Sequence, residues 1–505
     1  MVGAVSKAGT PIKSTALVAV SIALTFVVAE QIARVLDGQP PFAMPLILGT
    51  PDLQAPPMPA VPLADGVSAS WFHDRLPQLP NRRAPPAEWL QAMDDYRSKP
   101  VVQFQGGVLL PADMFKAWNS VFAGDLCQHS LLAHMPSRKV YLYDPSDGTQ
   151  RPQYRYMPNA TTPIGLVTNE IGWRGPPLRA RKANTVRIVF IGASTTADSH
   201  DLPFSYPEMI DHWLREWAAS KTLDLDVQAL NAGREGVIST DIAEIVRTEV
   251  APMRPDLVVY YEGANQFSLL AMTQGVGPAS GKRSTLPLAE RTWLSRLADY
   301  SSLARRVQSA LNLVGERSSG KEAEKPPYTL EWPRSVSEAD PDLADSSLPI
   351  NLGTILHDLD DMRSVLREID AELAVSSFKW LVKDGMVVDP LQGRNIWNML
   401  NITYWPWRYR DMERLAAFQN RVFEKYAGEH HLPFIDVAHD MPFDPDLFSD
   451  AIHNTAAGVR VRAWVVFQRL VPIIEDRLKR GVWPKRASEE EWPTFKPRTL
   501  AMECK

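Results

Sequence analysis

The chain has 505 residues, 45% hydrophobic and 22% charged, an ordinary globular composition long enough for about two to four structural units. Its formal net charge is −5 and its Lys and Arg residues are scattered, which gives no sign of a nucleic-acid partner. Cys127 and Cys504 are the only cysteines, so a zinc cluster and a disulfide scaffold are excluded, and whether these two pair is open.

Residues 1–37 read as a membrane anchor or export signal. Ser14 to Ala29 is uncharged and mostly apolar, with Lys7 and Lys13 before it and Glu30 and Arg34 after it. Two basic residues on the amino side favour that side staying cytoplasmic, which places the rest of the chain outside, in the periplasm or at the cell surface. Ala29-Glu30-Gln31 is a poor cleavage site, so the expectation is an uncleaved transmembrane helix. Residues 38–150 read as a proline-rich linker and accessory region. Prolines from Pro40 to Pro86 block helices and favour extended chain, while Ala87–Tyr96 and Ala112–Val121 read as short helices. Within Tyr154 to Gly175, the closely spaced Asn169, Gly172 and Arg174 suggest a strand with a tight turn that docks on the sheet.

Residues 151–267 carry the first part of the core. Val186 to Ile191 is β-branched and aromatic, as a strand buried on both faces of a parallel sheet reads, and it stops at Gly192, leaving Ser194 at the strand's carboxyl end. Tyr206, Met209, Ile210, Trp213, Leu214 and Trp217 then keep helical spacing. Leu225 to Leu230 is the next strand and runs into Asn231 to Gly236. Ile242, Ile245, Val246 and Val250 mark another helix, and Asp256 to Tyr261 a third strand closing on Glu262-Gly263-Ala264-Asn265. Right-handed crossovers bring these three loops to one sheet edge, where open α/β sheets place their chemistry. A serine hydroxyl there can attack an ester if donors face the oxyanion, and the Gly236 N–H and the Asn265 amide suit that task. Each has a plainer role as well: Ser194 or Thr195 as a helix cap or phosphate cradle, Gly236 as a turn, Asn265 as a cap.

Residues 268–350 read as an insertion, either a lid over that edge or a solvated excursion. Residues 351–482 resume the fold, with a helix over Ile355 to Ile369, a strand over Leu373 to Phe378, a helix over Met412 to Tyr426 and a last strand over Leu432 to Val437. Trp397, Tyr404, Trp405 and Trp407 could stack on sugars or fill a core, and the core reading is preferred. Asp450 stands three residues before His453, so it can accept the Nδ1 proton and leave Nε2 facing a nucleophile. His200, His212, His357, His430, His431 and His439 compete, His439 most closely because Asp436 precedes it by three. A long helix from Ala456 to about Arg480 follows, and residues 483–505 read as a peripheral tail.

These blocks resemble the SGNH (GDSL-like) hydrolase family, in the family's order. Gly192-Ala193-Ser194-Thr195 resembles the first block with alanine for aspartate, and Asn231 to Gly236 the second. Gly263-Ala264-Asn265-Gln266 resembles the third with glutamine for aspartate, and Asp450 to His453 the last. Asn169 to Gly175 is similar to a lead-in of many membrane-anchored bacterial members. The resemblance implies a flavodoxin-like doubly wound parallel sheet with an N-terminal transmembrane helix and a helical insertion. It also implies Ser194 as nucleophile, His453 as base, Asp450 as its orienting acid, and an oxyanion hole of the Ser194 N–H, Gly236 and Asn265. The expected activity is that of a serine esterase or O-acyltransferase working without cofactor or metal on acyl, chiefly acetyl, esters of sugars or cell-envelope glycans. The competing reading is a catalytically silent scaffold bound to a membrane-protein partner. A nucleotide-phosphate loop at GASTT is opposed by the lack of a G-x-x-x-x-G-K motif.

Overall fold

The computed structural model describes residues 11–36, 56–81, 167–198, 204–275, 301–312, 320–388 and 393–485. It also describes short strands at 103–104, 107–108, 139–144 and 496–501 and the single residues 159 and 492. The expected helices Ala87–Tyr96 and Ala112–Val121, His200, and both cysteines lie outside the described residues. The chain divides into two compact units, Met1–Met58 with Leu286–Gly320, and Pro59–Thr285 with Lys321–Lys505.

The first unit contains α1 (Pro11–Leu36) and a helix, Ser302–Asn312, from the insertion. Glu30 joins them: its carboxylate accepts the Ser301 hydroxyl (2.6 Å) and the N–H groups of Ser302 (3.1 Å) and Leu303 (3.0 Å), and it pairs with Arg34 at 2.7 Å. Donors at a helix start that lack intrahelical partners are thus met by a carboxylate. Val18, Ile22, Leu24, Phe26, Val27 and Val28 of α1 are each more than half exposed. Among the described residues no helix is long and apolar enough to cross a membrane. Of the region 268–350 read from the sequence as one insertion, 286–320 belongs to the first unit and 268–285 and 321–350 to the second.

The second unit is built on five parallel strands: β1 (Thr185–Gly192), β2 (Asp226–Asn231), β3 (Leu257–Tyr261), β4 (Glu372–Ser376) and β5 (Phe434–Ile435). Their spatial order is β5-β4-β3-β1-β2, every neighbouring pair parallel, which is the flavodoxin-like doubly wound order. All eight residues of β1 are buried, as its unbroken apolar run requires at the centre of such a sheet. On one face lie α3 (Tyr206–Ser220) and α9 (Ala456–Lys479), joined by Trp213 edge-on to Trp464 at 4.9 Å between ring centroids. On the other lie α4 (Ser239–Ile245), α6 (Leu352–Arg367) and α7 (Tyr409–Glu429), where Phe423 meets Tyr260 of β3. Truncating one such aromatic to alanine costs about 3–5 kcal/mol.

Two differences from the sequence reading have local causes. Residues 59–81, read as linker, are strapped onto α3 and α9. The Trp213 and Trp217 indoles donate to the carbonyls of Trp71 (2.9 Å) and Asp65 (3.0 Å), Arg460 donates to Phe72 O (2.6 Å), and Phe72 is fully buried against Trp464. Proline there prevents a helix without preventing packing, because an extended chain still buries side chains. The last strand is only Phe434–Ile435, and Asp436 instead caps the short helix α8 (Val437–Asp440) by accepting the His439 N–H.

The lead-in Asn169 to Gly175 docks as expected. Asn169 closes a tight turn with its side chain on the N–H groups of Ile171 (3.2 Å) and Trp173 (3.0 Å), and Arg174 bridges to Asn231 at the edge of β2.

Candidate active site

Gly192 ends β1 and the chain turns into a four-residue helix, α2 (Ser194–Ala197), with Ser194 first. The turn tolerates nothing larger than glycine at two places. A Cβ on Gly192 would stand 2.2 Å from Tyr261 O, and one on Gly233 would stand 2.6 Å from Ala197 N. The far end of α2 is held by side chains. Asn231 Nδ2 donates to Thr196 O (2.9 Å), Thr196 Oγ1 to Tyr261 O (3.0 Å), and Arg174 Nη1 to Ala197 O (2.9 Å) and to Asp198 O. Asp198 sits in the left-handed region (φ 48°) and accepts the Tyr206 N–H at 2.8 Å. Its carboxylate also pairs with Arg462 of α9, whose guanidinium lies over the Tyr206 ring at 4.5 Å. Arg462 is fully buried, so this pair ties the turn carrying Ser194 to the helix that follows His453.

That helix starts at Thr455, whose hydroxyl accepts the Gly458 N–H at 3.2 Å. The loop ahead of it closes on itself through Ser449 N to His453 O (2.8 Å), and Leu381 N to Ala451 O (2.9 Å) pins it to the segment leaving β4. Asp450 Oδ1 accepts the N–H groups of Ile452 (2.9 Å) and His453 (2.8 Å), and its Oδ2 lies 2.7 Å from His453 Nδ1. His453 Nε2 lies 2.8 Å from Ser194 Oγ, across 259 residues of sequence. With the His453 proton on Nδ1 donated as a hydrogen bond to Asp450, Nε2 is left to accept the serine proton. Partial desolvation raises the Asp450 carboxyl, but the adjacent His453 charge and the N–H bonds outweigh it and hold Asp450 well below the usual carboxylate range.

The competing histidines stand elsewhere. His439 is exposed beside Asp440, His430 bonds Arg363, His212 faces Asp74 and His357 faces Asp361. The Gly236 and Asn265 loops are brought together: Asn265 Nδ2 donates one hydrogen to Val237 O at 2.7 Å, leaving the amide's second N–H as the candidate oxyanion donor. Gly236 adopts φ 71°, and among the described residues no atom beyond its chain neighbours lies within 4 Å of where its Cβ would be. Gln266, where the resembled family has aspartate, accepts the Ser239 N–H at 2.8 Å and ties the third loop to α4. Of the four aromatics read as core, Trp397 and Tyr404 are buried and Trp405 and Trp407 half-buried, and Trp380 packs tilted on Phe267 and edge-on to Tyr404.

Several members of the site were not assigned roles from the sequence. Glu262, at the end of β3, is buried and pushed up to about 6 by that burial, against the N–H groups of Asn265, Ala264 and Gly263 and the nearby His453. Tyr404 is raised by burial and by the charges of Asp450 and Glu262. Arg462 gave no signal, because a buried arginine on a helix has the same spacing as a surface one, and its partner Asp198 gave none either, while Arg174 was marked only as part of a docking turn. A cavity of about 390 Å³, lined by Lys379, Trp380, Asn420, Arg421, Asp436 and their neighbours, opens beyond β4 and β5 and includes neither Ser194 nor His453. Among the described residues no cluster of His, Cys, Asp and Glu could hold a metal ion.

No protein-family model matches the sequence, and no curated protein matches it. Solved structures similar to the chain include a GDSL-like lipase from Bacteroides thetaiotaomicron, at 13% identity over 59% of this chain and 92% of that one, with a TM-score of 0.29. They also include an acetyl xylan esterase from Geobacillus stearothermophilus, at 12% identity over 56% and 94%, TM-score 0.30. A third is a lipase/acylhydrolase from Enterococcus faecalis, at 15% identity over 57% and 96%, TM-score 0.30.

Proposed function

We propose that the protein is a serine esterase or O-acyltransferase of the SGNH type, working through an acyl-enzyme at Ser194. The observation that carries this reading is the unbroken line from Ser194 Oγ to His453 Nε2 (2.8 Å) and from His453 Nδ1 to Asp450 Oδ2 (2.7 Å). As Oγ attacks the ester carbonyl carbon, its proton passes to Nε2, and Asp450 stabilises the imidazolium that forms. The carbonyl oxygen becomes an oxyanion received by the N–H groups of Ser194 and Gly236 and the Asn265 amide. Collapse breaks the ester bond, and His453 returns the proton to the leaving alkoxide. Water or a second hydroxyl, deprotonated by His453 in turn, then takes the acyl group from Ser194.

The reading extends to substrate and place. Small O-acyl esters of sugars, acetyl above all, are the proposed substrates. Residues 1–37 are read as a membrane anchor holding the catalytic unit outside the cytoplasm, on the strength of the uncharged run Ser14 to Ala29 behind Lys7 and Lys13. The test is turnover of p-nitrophenyl acetate and of acetylated glycans by wild type and Ser194→Ala, each with and without an added sugar acceptor. Acetate release lost in the variant supports the esterase, and acetyl transfer to the acceptor supports the transferase. A folded wild type that does neither refutes the reading. Carbonate extraction of membranes tests the anchor, and release of the full chain into the soluble fraction would refute it.

A further inference from the structure

Buried acids in the second unit mostly face arginine. Asp198 pairs with Arg462, Glu208 with Arg174, Glu249 with Arg234 and Asp256 with Arg181. Glu262 is as buried, at 2% exposure, yet the groups that stabilise its charge are the main-chain N–H groups of residues 263 to 265 and the His453 ring. A carboxylate out of water without a cation at its side is costly, so its retention calls for a role.

The geometry supplies one. Glu262 Oε1 accepts the N–H groups of Ala264 (2.8 Å) and Asn265 (2.7 Å) together. This folds the third loop back on the end of β3 and fixes the main chain of Asn265. From there the Asn265 side chain reaches Val237 O at 2.7 Å, next to Gly236. One carboxylate thus sets the main chain of one oxyanion loop, and through Asn265 the distance to the other. We propose that Glu262 is a positioning residue that locks the Gly236 and Asn265 loops in register for the oxyanion. The inference rests on the esterase reading for its chemical consequence, but the locking itself is a property of the loop. Its partner groups are the three loop N–H donors and His453 from the acid–base loop, and its charge also acts on Tyr260 and Tyr404.

The experiment compares Glu262→Gln, whose amide oxygen can still accept both N–H bonds, with Glu262→Ala, which cannot. Should the alanine variant not fold, Glu262→Asp, one methylene too short, replaces it. Amide hydrogen exchange at Ala264 and Asn265 is expected to quicken about tenfold or more in the alanine variant and to stay near wild type in the glutamine variant. Turnover of p-nitrophenyl acetate should follow, with kcat falling about 100-fold or more in the alanine variant, KM within about threefold, and kcat largely restored in the glutamine variant. Wild-type exchange in the alanine variant overturns the inference. So does unchanged kcat there, or a glutamine variant as slow as the alanine one. If wild type turns over no ester at all, the esterase reading fails, while the exchange comparison still decides whether Glu262 locks the loop.

Discussion

Replacing Asp450 with asparagine tests the acid–base loop with little disturbance of its shape. The asparagine oxygen can keep the two N–H bonds that Oδ1 now accepts from Ile452 and His453, so the loop survives. What changes is the atom facing His453 Nδ1 at 2.7 Å, where an accepting oxygen becomes a donating NH₂. Two donors cannot share that contact, so the imidazole proton moves to Nε2 and points at Ser194 Oγ. The serine then has no base. Loss of the correct tautomer in the chymotrypsin triad lowers kcat by about 10⁴, and the same disturbance here should lower acyl-enzyme formation by about 10³–10⁴, or roughly 4–5.5 kcal/mol of barrier. The assay is the pre-steady-state burst of p-nitrophenyl acetate at pH 7–8, with thermal melting to show that the fold is kept. An Asp450→Asn protein that melts like wild type and acylates within about tenfold of its rate would refute the account of Asp450 as the orienting acid.

Other outcomes follow from the same coordinates. Gly192→Ala would drive a Cβ to 2.2 Å from Tyr261 O, so it should fail to fold or lose the nucleophile turn, read by melting and by loss of fluorophosphonate labelling. Arg462→Met leaves the Asp198 carboxylate buried without its cation and should cost about 3–5 kcal/mol in urea unfolding, and a cost under about 1 kcal/mol would contradict the clamp. Burial raises Glu262 from the usual 4.5 to about 6 in the folded state. Its contribution to stability is therefore full below pH 4.5 and lost as pH rises through about 6, an amount of about 2 kcal/mol that urea melts at pH 4 and pH 8 should detect in wild type and not in Glu262→Gln.

The sheet was legible because its signals are local and redundant. Val186 to Ile191 and Leu257 to Tyr261 are apolar runs bounded by Gly192 and by Glu262-Gly263, and the helices between them keep an apolar face. Ser194, His453 and Asp450, which the structure brings together, each stand at a strand end or in a short loop whose residue types are rare in combination. What escaped was whatever depends on distant partners. Phe434–Ile435 is a shorter strand than its hydrophobicity suggests, because Asp436 is drawn into capping α8. Residues 59–81 look like linker because proline density reports local stiffness and is silent about the Trp213, Trp217 and Arg460 donors waiting on α3 and α9. Arg174 is an instructive middle case: its docking on the sheet could be read from the tight turn, while the reach of its guanidinium to the carbonyls of α2 depends on where Asn231 lies.

Whether the Ser194 hydroxyl becomes covalently acylated with His453 as its base can be read on the protein itself. Mass spectrometry of the protein quenched during turnover of an activated acetyl ester tests it most directly. The account predicts an acetyl group mapped to the peptide containing Ser194, absent in Ser194→Ala and forming at least about 10³-fold more slowly in His453→Ala. An acetyl group on another residue, or an adduct that forms at the wild-type rate without His453, would contradict it.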